Sequence, residues 1–366
     1  MLLIFTVILV ALLFEFTNGF HDTANSIATV IGTKVLTPRW AIALAVVTNL
    51  TGALMGGAVA ETIAKGLVNE HLIPPNFASS MLLCALVAAI TWNLITWYFG
   101  MPSSSSHALV GGLVGAAWGA ASGNWQAVIW AAAPPAGAHW WAGKGVLYKV
   151  IIPMILSPLL GFLVAFIIMS VLYLLLQKTR PQTVSRVFGR LQIVSAGFMG
   201  YAHGTNDAQK TMGVIALALA AATQSGTLNS LPDCLSFMKT PPAAPGQHFV
   251  IAVWIKVLCS LTMAAGTAAG GWRIIKTLGH KLVKLQPVQG FAAETGAAIV
   301  LLATSKMGMP VSTTHVITTS IMGVGATKRM SAVKWSTVER IVWAWIMTLP
   351  ISAALGYVFV RVVELL

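Results

Sequence analysis

Long apolar runs separated by short polar stretches set the pattern of this sequence. Runs of about 17 to 25 apolar residues, enough to cross a bilayer, recur near 2–17, 40–60, 78–99, 150–176, 248–270 and 341–362. Lipid satisfies no backbone polar group, so spanning segments of this length are helices. The pattern predicts an all-α integral membrane protein with about 10–12 membrane segments, once the mixed stretches between the runs are counted. The first run lacks the basic leader and small-residue cleavage site of a secretory signal. It passes directly into the polar stretch Asn18 to Ser26, so it is expected to stay as the first helix.

Composition agrees. Of 366 residues, 57% are hydrophobic and 8% charged, with a mean hydropathy of +0.82; soluble domains carry about 25% charged residues. A net charge of +13 would suggest nucleic acid as partner for a soluble chain. Here the basic residues lie in short loops between apolar runs, as the cytoplasmic bias of Lys and Arg predicts, and nucleic acid is set aside. The three cysteines Cys84, Cys234 and Cys259 are scattered and suggest neither disulfides nor a metal site.

Four loops are rich in base: Lys34/Arg39, Lys178/Arg180/Arg186/Arg190, Arg273/Lys276/Lys281/Lys284 and Lys328/Arg329/Lys334/Arg340. The loops near 61–76 (Glu61, Lys65, Glu70) and 224–247 (Asp233, Lys239) are not. Placing the basic loops in the cytoplasm sends the first run inward and the second back out. It turns the second half upside down relative to the first and leaves both termini extracellular or periplasmic. Lys144 and Lys149 fit this scheme less well. The expected organisation is an N-terminal inverted repeat at 1–177, a cytoplasmic basic linker at 178–190 and a C-terminal inverted repeat at 191–366.

Two polar motifs recur in the same order in both halves. Asn18-Gly-Phe-His-Asp-Thr-Ala-Asn-Ser26 parallels His203-Gly-Thr-Asn-Asp-Ala-Gln-Lys-Thr211, with Gly19/Gly204 and Asp22/Asp207 at an offset of 185. Pro102-Ser-Ser-Ser-Ser-His107 parallels Pro310-Val-Ser-Thr-Thr-His315, with Ser104/Ser312 and Gly115/Gly323 at an offset of 208. Inverted repeats with broken helices meeting near the midplane are the architecture of many secondary transporters. Asn18-Gly19 and His203-Gly204 are expected to interrupt the first helix of each half. Pro102 and Pro310 are expected to open the turns of helical hairpins.

Asp22 and Asp207 are the most informative positions, because a carboxylate at bilayer depth is paired or functional. A salt bridge with Lys210 is the structural alternative. Hard oxygen ligands suit Na⁺ and a titratable carboxylate suits H⁺. Asn25, Asn206 and Gln209 lie within a turn of these acids and offer further ligands. Ser103–Ser106 and Ser312–Thr314 each follow a proline and precede an apolar stretch, which reads as a helix start whose N–H groups and dipole attract an anion. Plain N-capping is the alternative. Glu294 is a second cation candidate, or an acid at a helix end near Lys284. His107 and His315 relay protons or hold structural hydrogen bonds, and Lys210 pairs with an aspartate or neutralises an anion. Trp130, Trp140, Trp141, Trp343 and Trp345 are expected in interfacial belts. No Gly-x-x-x-x-Gly-Lys-[Ser/Thr] occurs, so no ATP drive resides on this chain.

At residues 18–26, 202–213 and 310–315 the chain resembles the inorganic phosphate transporter (PiT) family, over nearly its whole length. The resemblance implies phosphate import by cation symport, inverted repeats, hairpins whose tips carry the Ser/Thr runs, and a homodimer. It implies cation and phosphate roles around Asp22, Asn25, Asp207, Ser104, Ser105, Ser312, Thr313 and Thr314. Gly-Phe-His-Asp at 19–22 looks like the bacterial branch; Na⁺-driven animal members have Asn in place of His21 and Glu in place of Asn49. The bacterial resemblance implies H⁺ as often as Na⁺, with a metal–phosphate complex as one form of the substrate, so Na⁺ and H⁺ both stay open.

The expected function is a symporter in the cell inner (plasma) membrane that imports inorganic phosphate with Na⁺ or H⁺, without a cofactor. Phosphate would be held by Thr23, Ser104, Ser105, Ser106, Ser312, Thr313, Thr314 and Lys210. The cation would be held by Asp22, Asn25, Asn206, Asp207, Gln209 and Glu294, with Na⁺ at Asp22 and Asp207 the one metal considered. A sulfate or other oxyanion permease and an anion channel are the alternatives. No nucleophile–base pair or metal cluster points to an enzyme.

Overall fold

Glycine inside a helix costs only about 1 kcal/mol against alanine, and neither Asn18-Gly19 nor His203-Gly204 breaks its helix. The structure, a computed structural model, describes residues 1–74, 77–240 and 251–365, without the side chains of residues 64, 65, 70 and 280. Helix α1 runs unbroken over Leu2–Gly32 and α7 over Pro181–Gln224. The glycines serve helix crossing instead. A Cβ on Gly19 would stand 2.5 Å from the Met263 carbonyl oxygen, and one on Gly204 would overlap the Asn49 carbonyl.

Between these two helices lie α2 (Pro38–Met55), α3 (Ala58–Lys65), α4 (Ala78–Tyr98), α5 (Ser105–Ala120) and α6 (Ile152–Leu176). After α7 come α8 (Val253–Ala269), α9 (Trp272–Lys276), α10 (Pro287–Lys306), α11 (Thr313–Ala326) and α12 (Trp335–Glu364). The real breaks fall at the prolines. Helix α4 ends before Gly100, whose φ of +64° suits glycine, and Pro102 blocks renewed helix until Ser104 caps α5. Helix α10 ends before Gly308, also at φ +64°, and Pro310 precedes the Ser312 cap of α11. The cap hydroxyls accept the His107 and His315 N–H groups at 3.1 and 3.2 Å. A further bend of 60° separates α8 from α9.

Packing repeats with the halves exchanged. Helix α1 packs on α8 and α4, and α7 packs on α2 and α10. Helix α5 rests on α12 as α11 rests on α6. In the sequence, 178–190 reads as a linker; in the structure only 177–180 lie between α6 and α7, and 181–190 already belong to α7. The loop side chains of Lys65 and Glu70, and the first residues of the 248–270 run, lie outside what is described.

Among the described residues, five helices are individually long and apolar enough to cross a membrane, and six if the bent α8–α9 pair is one span. Helices α6 and α12 expose apolar side chains such as Leu159, Leu163, Leu174, Ile346 and Val358, as lipid-facing helices do. The chain is a multi-pass, all-helical membrane protein. The three cysteines are free, with Cys84 and Cys259 buried.

Candidate functional site

Helix α1 carries a buried polar stripe of Glu15, Asn18, Asp22, Asn25 and Thr29, at the three- and four-residue spacing that keeps one face. Helix α7 answers it with His203, Asn206, Asp207 and Lys210, all at most 1% exposed. Both hairpin turns end against these stripes. Ser105 donates to Oδ2 of Asp22 at 2.9 Å, and Thr313 donates to Oδ2 of Asp207 at 2.9 Å. Ser105 and Thr313 are equivalent under the 208-residue offset, as the two aspartates are under 185.

The contacts also cross between halves. Asn25 Nδ2 donates to Thr313 Oγ1 at 3.1 Å and to Thr314 Oγ1 at 2.9 Å. The Thr314 hydroxyl reaches Asp22 Oδ1 at 3.4 Å. Lys210 donates to Asp207 and to Ser106, and to the Val311 carbonyl at 3.3 Å. The starts of α5 and α11 thus meet, with the His107 and His315 rings 4.9 Å apart and edge-on. The first N–H groups of a helix have no acceptor within it, so two positive helix ends point into one place beside the two acids.

One carboxylate oxygen each from Asp22 and Asp207 and a ring nitrogen of His203 lie within 4.8 Å of one another. That donor set of two carboxylates and an imidazole fits a cation. His203 Nδ1 donates to Asn49 Oδ1 at 2.7 Å, which aims Nε2 at Asp207 Oδ2, 2.9 Å away. Neither side-chain atom of Asn206 has a partner, nor does Oδ1 of Asn25, although all are buried. Buried polar atoms without partners are uncommon; Asn25 shares the hydroxyls of Thr313 and Thr314 with the two acids, and Asn206 adjoins Asp207 in sequence.

Other expected residues sit elsewhere. Gln209 turns away from Asp207: its Oε1 accepts the Val59 and Ala60 N–H groups at 2.8 and 3.3 Å, closing the start of α3. Thr23 donates to Gly19 and Thr267 carbonyls at 2.6 and 3.3 Å, a tie between α1 and α8. Glu294 forms its own cluster, accepting from Thr29 at 2.5 Å, from Gln192 at 3.1 Å and from Ser195. Ser104 and Ser312 act as caps. Trp345 does not belong to an interfacial belt. It is buried, stacks on His315 at 3.9 Å between centroids and donates to the Pro102 carbonyl at 3.0 Å.

Sequence reasoning gave no site role to His203 or Thr96, and noted His21 and Asn49 only as departures from the animal members. His21 Nδ1 lies 2.6 Å from Asp22 Oδ1, and Thr96 bonds Ser103 at 2.7 Å. Asn49 and Thr96 are polar residues within apolar runs, Asn49 between Thr48 and Thr51 and Thr96 after Thr91 and Asn93, and that was the signal available. At the edge of the first hairpin turn, a cavity of about 260 Å³ is lined by Gly100, Pro102, Arg273, Lys276, Lys281 and Arg340.

Duplicated acids, helix starts and glycine crossings thus meet in the buried interior of a multi-pass helical membrane protein. The sequence profile of the phosphate transporter family matches residues 18–182 and 175–356, and the chain belongs to that family. It is 44% identical to a Bacillus subtilis protein called "Probable low-affinity inorganic phosphate transporter", over 97% of this chain and 96% of that one. A Rhizobium meliloti protein of the same description is 42% identical, over 95% and 93% of the two chains. Among solved structures, "The sodium-dependent phosphate transporter" shares the fold with a TM-score of 0.80 at 24% identity, covering 100% of both chains. The relatives' names place the role in transport rather than catalysis.

Proposed function

We propose that the chain is a secondary-active symporter that imports inorganic phosphate with Na⁺ or H⁺. The observation that carries this reading is the junction of Asp22 and Asp207 with the hydroxyls of Ser105, Thr313 and Thr314. Phosphate binds at the two helix starts, with Ser105, Ser106, Thr313 and Thr314 as donors. The cation binds among Asp22, Asn25, Asn206, His203 and Asp207. In this closed arrangement Lys210 neutralises Asp207; an arriving cation takes over that task, and Lys210 turns to the anion. Cation and phosphate then favour each other's binding, which is what symport requires. Glu294, saturated by three donors, is a separate cation position. Thr23 and Gln209 serve structure.

The exchange symmetry of the packing supports two inverted repeats, the first ending with α6 and the second beginning with α7, whose first turns carry the basic residues Arg186 and Arg190. The chain works as a homodimer in the cell inner membrane, with both termini extracellular or periplasmic. His203 among the carboxylates favours a second form of the substrate, a divalent metal–phosphate complex, since imidazole suits transition metals better than Na⁺.

The test is labelled phosphate uptake into proteoliposomes, with Na⁺ and pH gradients varied independently. Saturable uphill uptake under one gradient is expected. No uptake under either gradient overturns the reading, and non-saturating downhill flux points to a channel. Sulfate competing as well as phosphate would reassign the anion.

A further inference from the structure

Glu15 lies seven residues before Asp22 on the same face of α1, ~10 Å along the helix at ~1.5 Å per residue. It is fully buried. Thr211 of α7 donates to its Oε2, and Oε1 has no hydrogen-bond partner. Oδ1 of Asn18, one turn further on, has none either.

The charges around Glu15 are set by three helices. On its own helix stand His21 and Asp22. From α7 it feels Asp207 and Lys210, and from α8 it acts on Cys259, with Lys256 on the same helix. Helix α4 bears no charged side chain. Lys210 is already engaged by Asp207 and Ser106. Glu15 therefore has two neutral donors at most, the Thr211 hydroxyl and the Asn18 amide, with a like charge within range and no cation of its own.

Glu294 makes the comparison. It is as buried, but three donors converge on it. Several hydrogen bonds to a carboxylate stabilise its charged form; a carboxylate with fewer donors in a dry interior is pushed further toward the neutral acid. A proton on Oε1 also converts an oxygen without a donor into a donor, with an acceptor lacking a hydrogen one turn away.

We propose that Glu15 is a proton-binding site of the carrier. It takes an H⁺ from external water onto Oε1 when the site faces outward. It holds the proton as the O–H bond of a neutral acid while the site is closed, and that bond breaks to internal water when the site opens inward. Its link to the substrate runs through Thr211, which adjoins Lys210. Neutral Glu15 leaves Lys210 to Asp207 and the anion, whereas ionised Glu15 draws on the same ammonium. The transport role of this proton rests on the phosphate-carrier reading.

Two measurements separate the claims. Infrared spectra of reconstituted wild type at neutral pH should show the carbonyl stretch of a protonated carboxylic acid. That band should vanish in Glu15→Gln, shift in Glu15→Asp and survive in Glu294→Gln. A wild type without the band, or a Glu15→Gln protein that keeps it unchanged, overturns the proposal whatever the substrate is.

The second measurement is phosphate uptake under a pH gradient with Na⁺ absent. Each pH unit supports about tenfold accumulation per coupled proton; the wild type should show it, and Glu15→Gln should fall to equilibrium filling. A wild type indifferent to the pH gradient, or a Glu15→Gln protein that keeps its response, overturns the coupling role. Absence of any phosphate uptake by the wild type under every gradient refutes the carrier reading instead, and leaves the infrared result standing.

Discussion

Replacing Asp22 with asparagine keeps the shape of the side chain and removes its charge. Ser105 donates to one oxygen at 2.9 Å, His21 Nδ1 sits 2.6 Å from the other, and no Lys or Arg pairs with Asp22 among the described residues. No lysine or arginine is stranded, so Asp22→Asn should fold and run as wild type on size exclusion. A cation ~4 Å from this carboxylate gains about 4 kcal/mol at an effective dielectric of ~20. Losing that is roughly a thousandfold in cation affinity, at about 1.4 kcal/mol per factor of ten. The assay is the Na⁺ or H⁺ concentration that half-saturates phosphate uptake in proteoliposomes. It should rise beyond the accessible range, so that coupled uptake disappears. A half-saturating concentration within a few-fold of wild type would refute the placement of the cation at Asp22. Asp207→Asn should differ in kind. It leaves buried Lys210 without its carboxylate, which costs about 3–5 kcal/mol, so this variant should lose coupled uptake and also melt earlier. Equal thermal stability of the two variants would contradict the ion pair's part in the argument.

Gly204→Ala should expose the tightness of the helix crossing. Its Cβ overlaps the Asn49 carbonyl, and overpacking costs about 1–3 kcal/mol, whereas a Cβ on Gly57 meets nothing within 4 Å. Thermal melting in detergent should fall for Gly204→Ala and hold for Gly57→Ala; equal melting would undo the claim. Trp345→Phe removes the bond to the Pro102 carbonyl, worth about 0.5–1.5 kcal/mol. With Cys234 replaced by Ser, a cysteine at position 103 should then be labelled two- to tenfold faster, by about that energy; an unchanged rate means the indole does not hold the first hairpin turn closed.

Much of the site was legible because polar residues at apolar depth have few roles. The Asp22/Asp207 pair, the Ser/Thr runs and their two offsets were readable directly, and the structure joins them through Ser105, Thr313 and Thr314. What stayed hidden was rotation about a helix axis and contact across helices. Gln209 is two residues from Asp207, a spacing that puts side chains on different faces, so proximity in sequence misled. Glu294 is remote from both aspartates because α10 packs along α7 beside Ser195 and Gln192, contacts without a signature in spacing. Gly19 and Gly204 read as breaks because glycine weakens helices, yet lipid offers the freed backbone no partner and the neighbouring helix needs the space. Glu15 sits inside an apolar run, and its significance emerged only from the missing donor.

The central claim is that the acids of α1 and α7 and the hydroxyls at the two hairpin turns form one phosphate–cation site. The most direct test is an experimental structure determined with phosphate and the driving cation bound. The account predicts phosphate within hydrogen-bond distance of Ser105, Ser106, Thr313 or Thr314, with the cation on Asp22 or Asp207. Phosphate lodged instead only among Arg273, Lys276, Lys281 and Arg340, with those hydroxyls still bonded to the aspartates, would contradict it.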